Sequence, residues 1–350
     1  MTRKITVAVV GATGQVGAVM LDFLAQSEVN ADSVRCFASA RSAGKTVIYR
    51  GAEVTVEDLA TADLNGIDIA LFSAGGATSA SYAPKFTAAG AVVIDNSSHW
   101  RLDPEVPLVV SEVNPYAIAG AKKGIIANPN CTTMAAMPPL RVLHDAYGLT
   151  RLKIATYQAT SGSGVHGVAE LAGQLTELVK SGRIADLVRD GQAIPHAQPE
   201  VYAAAIAANV VPVAGGFVDD GSLETDEEQK LRNESRKILE IPELLVAGTC
   251  VRVPVFTGHS LVVHAEFERT VDVAEAQELL AKAPGVELCD MPNPRDAAGK
   301  NPSFVGRVRH DQSVPDGKGL VFFIANDNLR KGAALNAVQL AEIVARQLRA

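Results

Sequence analysis

The sequence predicts an α/β protein with two domains, of which the first contains a doubly wound parallel sheet and the second is α+β. The chain has 350 residues, which is long for one hydrophobic core. Strand-like and helix-like segments alternate through about the first 130 residues. The pattern then changes to strands whose spacing suits an antiparallel or mixed sheet. We therefore expect residues 1–130 plus 330–350 to form the first domain and residues 131–329 the second.

The elements of the first domain follow from short apolar runs and helical periodicity. Residues 5–10 (ITVAVV) are short, β-branched and closed by Gly11, as expected for a buried parallel strand. Residues 16–25 then carry apolar side chains at helical spacing. The other elements predicted here are strands at 33–38, 67–72 and 91–95 and a helix near 79–89.

The second domain is predicted to mix strands and helices. Strand-like runs occupy 151–158, 250–256 and 260–267, and the last two are joined by a short link that contains glycine. The tail, 332–349, is predicted to be an amphipathic helix. Its broad apolar face comprises Leu335, Val338, Ala341, Ile343 and Ala345.

The composition argues against several classes of function. A net charge of -7 and a pI near 5.6 give no bulk electrostatic reason to bind nucleic acid or an anionic membrane. The four cysteines are far apart and form no CxxC pair, so we expect no metal site. The N-terminus lacks the features of a signal peptide, and no stretch approaches the roughly 20 apolar residues of a membrane span. We therefore expect a soluble, cytoplasmic protein.

A glycine-rich turn follows the first predicted strand and opens the first helix. Gly11, Gly14 and Gly17 form a GxxGxxG pattern, which lets the backbone approach a pyrophosphate at a helix N-terminus. The alternative interpretation is a tight strand–helix turn that only packs closely. We interpret the turn as part of a Rossmann-type dinucleotide site. The cofactor-binding residues expected in it are Gly11, Thr13, Gly14, Gln15 and Val16.

The segment after the second predicted strand favours NADP over NAD. NAD enzymes usually place an acid there for the ribose 2′-hydroxyl, but residues 38–45 contain none. Instead, Arg41 is flanked by hydroxyl side chains, including Ser42, and a guanidinium suits a 2′-phosphate. The alternative for Arg41 is a solvated loop arginine.

Cys131 is the candidate nucleophile, because it lies at a predicted strand-to-helix junction within Asn128-Pro-Asn-Cys-Thr-Thr133. Free N–H groups at a helix N-terminus are expected to lower the pKa of its thiol and to bind an oxyanion. Free cysteines are usually inert and buried, which is our interpretation of the other three. Those three are Cys36, Cys250 and Cys289.

His259 is the candidate proton-transfer group. It lies in the short link between two predicted strands, where a rigid scaffold can present it, although structural histidines are commoner than catalytic ones. His166 is the second choice. Seven residues before His259, Arg252 shares a strand face with small uncharged residues, so it should pair with something specific. A substrate carboxylate and a structural ion pair are both open as that partner.

The charged segment 225–240 is predicted to be a helix with one inward stripe. Glu227 and Lys230 fall on the side that carries the apolar anchors, so both could point inward. Arg101, in the loop 97–103, is a further candidate cation for an anion site, although a loop ion pair explains it equally well. The full stripe is Glu227, Lys230, Leu231, Glu234 and Ile238.

Four separated motifs resemble those of the aspartate-semialdehyde dehydrogenases. They match that family in order and spacing, and the resemblance covers essentially the whole chain. The first is the segment around Cys131, and the second begins at Gln158. The motifs are residues 128–133 (NPNCTT), 158–162 (QATSG), 252–260 (RVPVFTGHS) and 328–334 (NLRKGAA).

The resemblance implies a glyceraldehyde-3-phosphate-dehydrogenase-like fold, NADP as cofactor and a homodimer. It implies reversible reductive dephosphorylation of L-4-aspartyl phosphate to L-aspartate 4-semialdehyde and inorganic phosphate, through a cysteine thioester. The pathways are lysine (with diaminopimelate), methionine and threonine biosynthesis. The implied roles are nucleophile for Cys131, acid/base for His259, acyl orientation for Gln158, a grip on the amino-acid end for Arg252 and Glu227, phosphate binding for Arg101 and Lys230, further substrate contact for Asn130, and cofactor contact for Ser161, Gly162 and Asn328.

Two other functions remain open at this point. An N-acetyl-γ-glutamyl-phosphate reductase would run the same chemistry on a longer, acetylated substrate, but Glu227 suits a free ammonium and not a neutral amide. A non-catalytic NADP-binding homologue would retain the fold alone. The joint presence of Cys131, Gln158 and His259 argues against it.

Overall fold

The structure is a computed structural model that describes residues 3–195 and 197–350. Within these residues the chain forms two sheets and the helices that cover them. The strands are β1 Thr6–Val10, β2 Ser33–Ala38, β3 Thr46–Tyr49, β4 Ala52–Asp58, β5 Ile69–Phe72, β6 Val92–Asp95, β7 Ile125–Ala127, β8 Leu149–Gln158, β9 Leu245–Arg252, β10 His259–Phe267, β11 Val286–Leu288, β12 Ser303–His310 and β13 Gly319–Asn326. The α-helices are α1 Gln15–Gln26, α2 Gly76–Ala88, α3 Cys131–Tyr147, α4 Gly164–Ser181, α5 Asp226–Leu239, α6 Val273–Lys282, α7 Pro294–Ala297 and α8 Leu335–Arg349.

The first sheet has the strand order β3-β4-β2-β1-β5-β6-β7, and every neighbouring pair except β3–β4 is parallel. This confirms the predicted doubly wound sheet. The sequence analysis did not identify the β3–β4 hairpin, whose strands lie at the edge of the sheet and are mostly exposed or half-exposed. Arg50 and Gly51 turn the chain there with φ of 50° and 79°, the positive values that a two-residue hairpin turn requires.

The second sheet has the order β11-β12-β13-β10-β8-β9 and is mixed, as expected. β8 pairs parallel with β9 and antiparallel with β10. The predicted strand at 250–256 is wrong at both ends, since β9 spans Leu245–Arg252. Pro254 has no N–H with which to continue the ladder, so the chain leaves the sheet soon after Arg252.

The C-terminal helix α8 packs against the first sheet. It follows a π-helical turn, Arg330–Ala334, and its apolar face joins the core cluster that contains β1 and β5. Val338, Ala341 and Ala345 of the predicted face are buried, whereas Leu335 and Ile343 are only partly buried. The chain therefore returns to its first sheet after completing the second.

The strand directions bring three candidate residues to one edge of the second sheet. β8 and β9 end together, with Gln158 paired to Arg252. Because β10 runs the opposite way, its first residue, His259, lies at the same edge. α3 and the preceding turn meet this edge, since Cys131 contacts His259. The topology therefore brings these predicted functional residues together at one edge of the second sheet.

No helix in residues 3–195 and 197–350 is both long and apolar enough to cross a bilayer. Nor do the described residues contain a cluster of three or more histidine, cysteine or carboxylate side chains arranged to hold a metal ion.

Candidate active site

Cys131 is the first residue of α3, at the turn that follows β7. Asn130 caps this helix, and its Oδ1 accepts hydrogen bonds from the backbone N–H and the hydroxyl of Thr132, at 3.0 and 2.6 Å. The sulfur lies 3.2 Å from Nε2 of His259. The predicted nucleophile and proton-transfer group are therefore in direct contact, although 128 residues separate them.

His259 is fully buried, and a backbone contact fixes its orientation. Its Nδ1 accepts the N–H of Ala159 at 3.0 Å. Burial and then the charge of Arg252 lower the pKa of His259 well below its ordinary value, so the ring is neutral near pH 7. A neutral ring that accepts at Nδ1 carries its proton on Nε2, which faces the sulfur.

Burial, followed by the carboxylate of Glu227, raises the pKa of the Cys131 thiol to about 12. Arg252, Arg101 and the N–H of Thr132 oppose this rise. As expected, the N–H of Thr132 at the helix N-terminus lowers this pKa, but the loss of water around the sulfur outweighs it. The net pKa is therefore raised, and the thiolate is disfavoured in the resting site.

A cavity of about 420 Å³ opens above Cys131. It brings together most of the predicted catalytic and substrate-binding residues and adds Tyr202, which the sequence analysis did not identify. The predicted residues that line it are Asn130, Cys131, Gln158, Gly162, Glu227, Lys230 and Arg252.

Glu227 is the centre of the polar contacts in this cavity. Its carboxylate accepts from Nδ2 of Asn130 at 3.1 and 3.0 Å, from Nε2 of Gln158 at 3.2 Å and from Nζ of Lys230 at 3.0 Å. Burial alone would raise the pKa of Glu227, but Lys230 and the two amides hold it below its ordinary value. The group is therefore ionised and can receive a cation.

Arg252 is buried and also lines this cavity. Its Nη1 donates to the carbonyl of Ala159 at 2.7 Å, and its guanidinium carbon lies 5.9 Å from the ring centre of Tyr202. Nε of Arg252 is buried and finds no acceptor among the described residues. Gly162 leaves room here, because a Cβ on it would lie 2.9 Å from Nη1 of Arg252 and 3.1 Å from Cε1 of His259. An unpartnered donor at a cavity wall suits an incoming anion.

Arg101 lies outside the main cavity. It lines an adjacent pocket of about 180 Å³ together with Lys230, which lines both spaces. Its Nε and Nη2 donate to the backbone carbonyls of Asn128 and Asn96, and its Nη1 pairs with Glu234 at 2.9 Å. The structure therefore brings the two predicted phosphate-binding cations to one pocket, which shares Lys230 with the cavity that Cys131 lines.

A second cavity, of about 410 Å³, lies at the carboxyl edge of the first sheet. Gly14 caps α1 with no side-chain acceptor, and the first turn contains no acid, which leaves helix N–H groups for an anion. Gly11 has φ of 87°, and a Cβ there would lie 2.3 Å from the carbonyl of Ser73. These features fit a dinucleotide. Predicted cofactor residues that line the cavity are Gly11, Thr13, Gly14, Arg41 and Ser42.

The other predicted cofactor residues do not line this cavity. Gln15 and Val16 lie in the first turn of α1. Ser161 and Asn328 form a buried pair, with Oγ and Oδ1 3.1 Å apart, and the same Oδ1 accepts the N–H of Gly258 at 2.9 Å. They support the loop that precedes His259, and their contact with a cofactor stays a prediction.

His166, the second choice of base, is wrong. It lies exposed on α4, in a separate surface pocket with Glu170 and Glu200, because the turn before α4 directs it away from Cys131. The number of residues between Cys131 and His166 did not indicate that their side chains lie in separate pockets.

Four residues of functional interest escaped identification from the sequence. Asp58 and Tyr82 line the cofactor cavity, and Asp58 ends β4, the strand that the sequence analysis missed. Ala159 acts through its backbone, which no side-chain pattern reveals. For Tyr202 there was no signal, since it lies in an irregular segment.

Comparison with known proteins gives consistent results over the whole chain. Residues 6–121 match the family model described as "Semialdehyde dehydrogenase, NAD binding domain", and residues 140–331 match "Semialdehyde dehydrogenase, dimerisation domain". The chain is 62% identical over 343 residues to the aspartate-semialdehyde dehydrogenase of Streptomyces akiyoshiensis, covering 98% of this chain and 99% of that one. It is 57% identical over 347 residues to the Mycolicibacterium smegmatis enzyme of the same name, with 98% and 100% covered.

Among solved structures, the chain is similar to aspartate semialdehyde dehydrogenase II from Vibrio cholerae, complexed with ASA. The TM-score is 0.91 at 42% identity, and 99% of each chain is covered. The similarity therefore extends from sequence to fold over both sheets.

Proposed function

Because the chain belongs to the aspartate-semialdehyde dehydrogenase family of oxidoreductases in amino-acid biosynthesis, we propose that it interconverts L-aspartate 4-semialdehyde and L-4-aspartyl phosphate with NADP and inorganic phosphate. The observation that carries the mechanism is the 3.2 Å contact between Sγ of Cys131 and Nε2 of His259 at the floor of a polar cavity. A thiol beside a neutral imidazole is the arrangement that covalent acyl transfer needs.

The preference for NADP rests on Arg41 and Ser42, which line the cofactor cavity where a ribose 2′-phosphate would need donors. The glycine turn would hold the pyrophosphate at the start of α1. When bound, the nicotinamide supplies the hydride acceptor. Asp58 lies in the same cavity, where its Oδ1 accepts the N–H of Ala60 at 3.1 Å.

The amino-acid end of the substrate would bind between two opposite charges. Arg252 has a free buried donor for the α-carboxylate, and Glu227 is ionised for the α-ammonium. An ammonium beside Glu227 offsets the negative charge that raises the pKa of the Cys131 thiol. Substrate binding thus favours the thiolate. An N-acetylated substrate would offer Glu227 a neutral amide, which disfavours the N-acetyl-γ-glutamyl-phosphate reductase alternative.

In the oxidative direction, Cys131 loses its proton to solvent and the sulfur attacks the aldehyde carbon, which gives the alkoxide of a thiohemiacetal. The Nε2–H of His259 donates to the oxygen, and Gln158 orients the acyl group. Loss of hydride from the same carbon forms the thioester without a further proton transfer. A fixed donor aimed at developing charge is an effective form of catalysis.

The expected removal of a proton from the thiohemiacetal by His259 stays a prediction. The ring could accept a proton at Nε2 only if its own proton first moved to Nδ1, where the N–H of Ala159 already donates. The hydrogen-bond geometry therefore supports the donor role more directly.

Phosphate would then attack the thioester carbonyl, release aspartyl phosphate and return the sulfur as a thiolate. Arg101 and Lys230 line one pocket and would hold the anion, and Lys230 also lines the cavity of Cys131. Asn130, whose Nδ2 faces the cavity, would add a further contact. The Nε2–H of His259 would stabilise the departing sulfur.

We propose the same division of the chain as the sequence predicts, with 1–130 plus 330–350 binding the cofactor and 131–329 carrying catalysis. The match to a dimerisation domain supports a homodimer. The cytoplasmic location stays a prediction.

Formation of NADPH from NADP and aspartate semialdehyde tests the proposal. We expect the rate to depend on phosphate and to fall by at least 1,000-fold in Cys131→Ala, since no covalent route remains (a loss on the order of that for other nucleophiles). Turnover that is independent of phosphate, or an active Cys131→Ala, would overturn the proposed function. So would a clear preference for N-acetylglutamate semialdehyde. A Cys289→Ala variant is the matched control, because Cys289 lies on β12's side of the second sheet, away from the cavity.

A further inference from the structure

One carboxylate on the inward stripe of α5 has no role in the proposed chemistry. Glu234 is 1% exposed, so its carboxylate has been withdrawn from water. Its Oε1 accepts from Nη1 of Arg101 at 2.9 Å, and its Oε2 accepts the backbone N–H of Asn130 at 2.7 Å. A charge buried this completely is costly unless its partners compensate it.

The two hydrogen-bond partners of Glu234 have different roles in the proposed reaction. Asn130 caps the helix that begins with Cys131, so its backbone sets the position of the nucleophile. Arg101 is one of the two proposed phosphate-binding cations. One buried carboxylate therefore joins the turn that carries the sulfur to the cation that would hold the attacking anion.

Helix α5 holds Asn130 twice, which restricts the turn further. Glu227 accepts from the side-chain amide, and Glu234, two turns later on the same helix face, accepts from the backbone N–H. Arg101 is also held by the carbonyls of Asn96 and Asn128, the latter within the same turn. The sulfur and the cation thus share a common support.

We propose that Glu234 is a positioning residue that keeps Cys131 and Arg101 in fixed register, so that acylation of the sulfur and attack by phosphate use one preset geometry. Glu234 does not line the main cavity, and at the smaller pocket its two oxygens are already engaged by Arg101 and Asn130. This inference rests on the proposed function, because it assumes a cysteine acyl intermediate and an attacking phosphate.

Glu234→Gln tests the proposal with little change in volume. The glutamine amide has only one acceptor oxygen, so its NH2 group must face either Arg101 or the backbone N–H of Asn130. Two hydrogen-bond donors then face each other. We expect the first-turnover rate of NADPH formation without phosphate, divided by the number of titratable Cys131 thiols, to fall at least 10-fold. The KM for phosphate should rise at least fivefold. The KM for aspartate semialdehyde should change less than threefold. Glu240→Gln, at the exposed end of the same helix, is the control and should match the wild type.

A second variant keeps the test decisive if Glu234→Gln does not fold. Arg101→Lys retains the charge but loses the guanidinium that bridges Glu234 and two carbonyls. Coupling through Glu234 predicts that this variant slows the phosphate-independent first turnover at least threefold, although Arg101 bears on that step only through its charge, which lysine retains.

Three results would overturn the positioning role. The first is an unchanged first-turnover rate in Arg101→Lys, and the second is a change of less than twofold in both the first-turnover rate and the KM for phosphate of Glu234→Gln. The third is a loss of activity in Glu234→Gln that is explained entirely by a smaller number of titratable Cys131 thiols. Failure of the proposed function would look different, because the wild type itself would then turn over without phosphate.

Discussion

The backbone N–H of Ala159 donates to Nδ1 of His259 at 3.0 Å, which leaves Nε2 to face the sulfur of Cys131. This contact decides the tautomer of a buried, neutral ring. It therefore distinguishes a hydrogen-bond donor from a proton acceptor at the centre of the site.

The first prediction separates these two roles of His259. His259→Gln retains a side-chain N–H but has no basic nitrogen, whereas His259→Ala has neither. A hydrogen bond to a charged oxygen contributes about 1.5–3 kcal/mol, so Gln should react about 10- to 100-fold faster than Ala. The rate of the first turnover measures this. Equal rates for the two variants would instead favour proton removal by the ring.

The second prediction concerns the pH dependence of Cys131. Its pKa of about 12 in the resting site lies above the ordinary thiol value, so the reactive thiolate is scarce at neutral pH and increases as the pH rises. Alkylation of Cys131 by iodoacetamide should accelerate about tenfold per pH unit between about pH 7 and pH 9. Glu227→Gln removes a charge that raises this pKa, and should therefore speed alkylation. Peptide mass spectrometry measures the rate of alkylation at each pH. A rate that reaches a plateau near neutral pH would contradict this prediction.

The third prediction concerns the choice of nucleotide. Removing a charge-assisted contact to a 2′-phosphate costs about 1.5–3 kcal/mol, so Arg41→Ala should raise the KM for NADP about 10- to 100-fold. The KM for NAD should change little. Lys45→Ala, an exposed cation outside the cavity, is the control. Equal effects on both nucleotides would remove Arg41 from phosphate recognition.

The fourth prediction concerns stability. Lys331 is fully buried in the π-helical turn and pairs with Glu112 at 2.5 Å. Burial would raise the pKa of Glu112, but Lys331 keeps it below its ordinary value. Lys331→Met leaves that carboxylate without its cation and should lower the free energy of unfolding by about 3–5 kcal/mol in urea denaturation.

The pH dependence of this effect has a definite sign. A carboxyl whose pKa is lowered on folding stabilises the fold above its unfolded pKa, and this contribution is lost as the pH falls. The cost of Lys331→Met should therefore shrink in acid, and Glu112→Gln added to it should recover part of the loss at neutral pH. A cost that is unchanged between neutral and acid pH would rule out the ion pair as its source. Arg346→Met, in an exposed pair with Glu28, should have almost no effect.

Local patterns predicted the fold class, seven of the thirteen described strands and much of the site. Helical spacing alone placed Glu227 and Lys230 on the inward face of α5, and both line the cavity. The strand–glycine–helix pattern placed Gly11 and Gly14 in a cavity suited to a nucleotide. These predictions succeeded because each depends only on residues within one strand or within one or two helical turns.

Properties that depend on distant parts of the chain could not be predicted. The raised pKa of Cys131 follows from the loss of water around the sulfur and from Glu227, which lies on a different helix, and neither is visible in the local sequence. The tautomer of His259 depends on the backbone of Ala159, 100 residues earlier. Glu234 appeared on the predicted stripe, but its partners, Arg101 and Asn130, are more than 100 residues away. Such contacts exist only once the topology has formed.

The central claim is that Cys131 carries the acyl group. Mixing the protein with NADP and aspartate semialdehyde, without phosphate, tests it most directly, with NADPH read by absorbance and the protein by peptide mass spectrometry. The account predicts one NADPH per active site, an aspartyl group on the Cys131 peptide and its discharge on adding phosphate. Repeated turnover without phosphate, or a normal burst in Cys131→Ala, would contradict it.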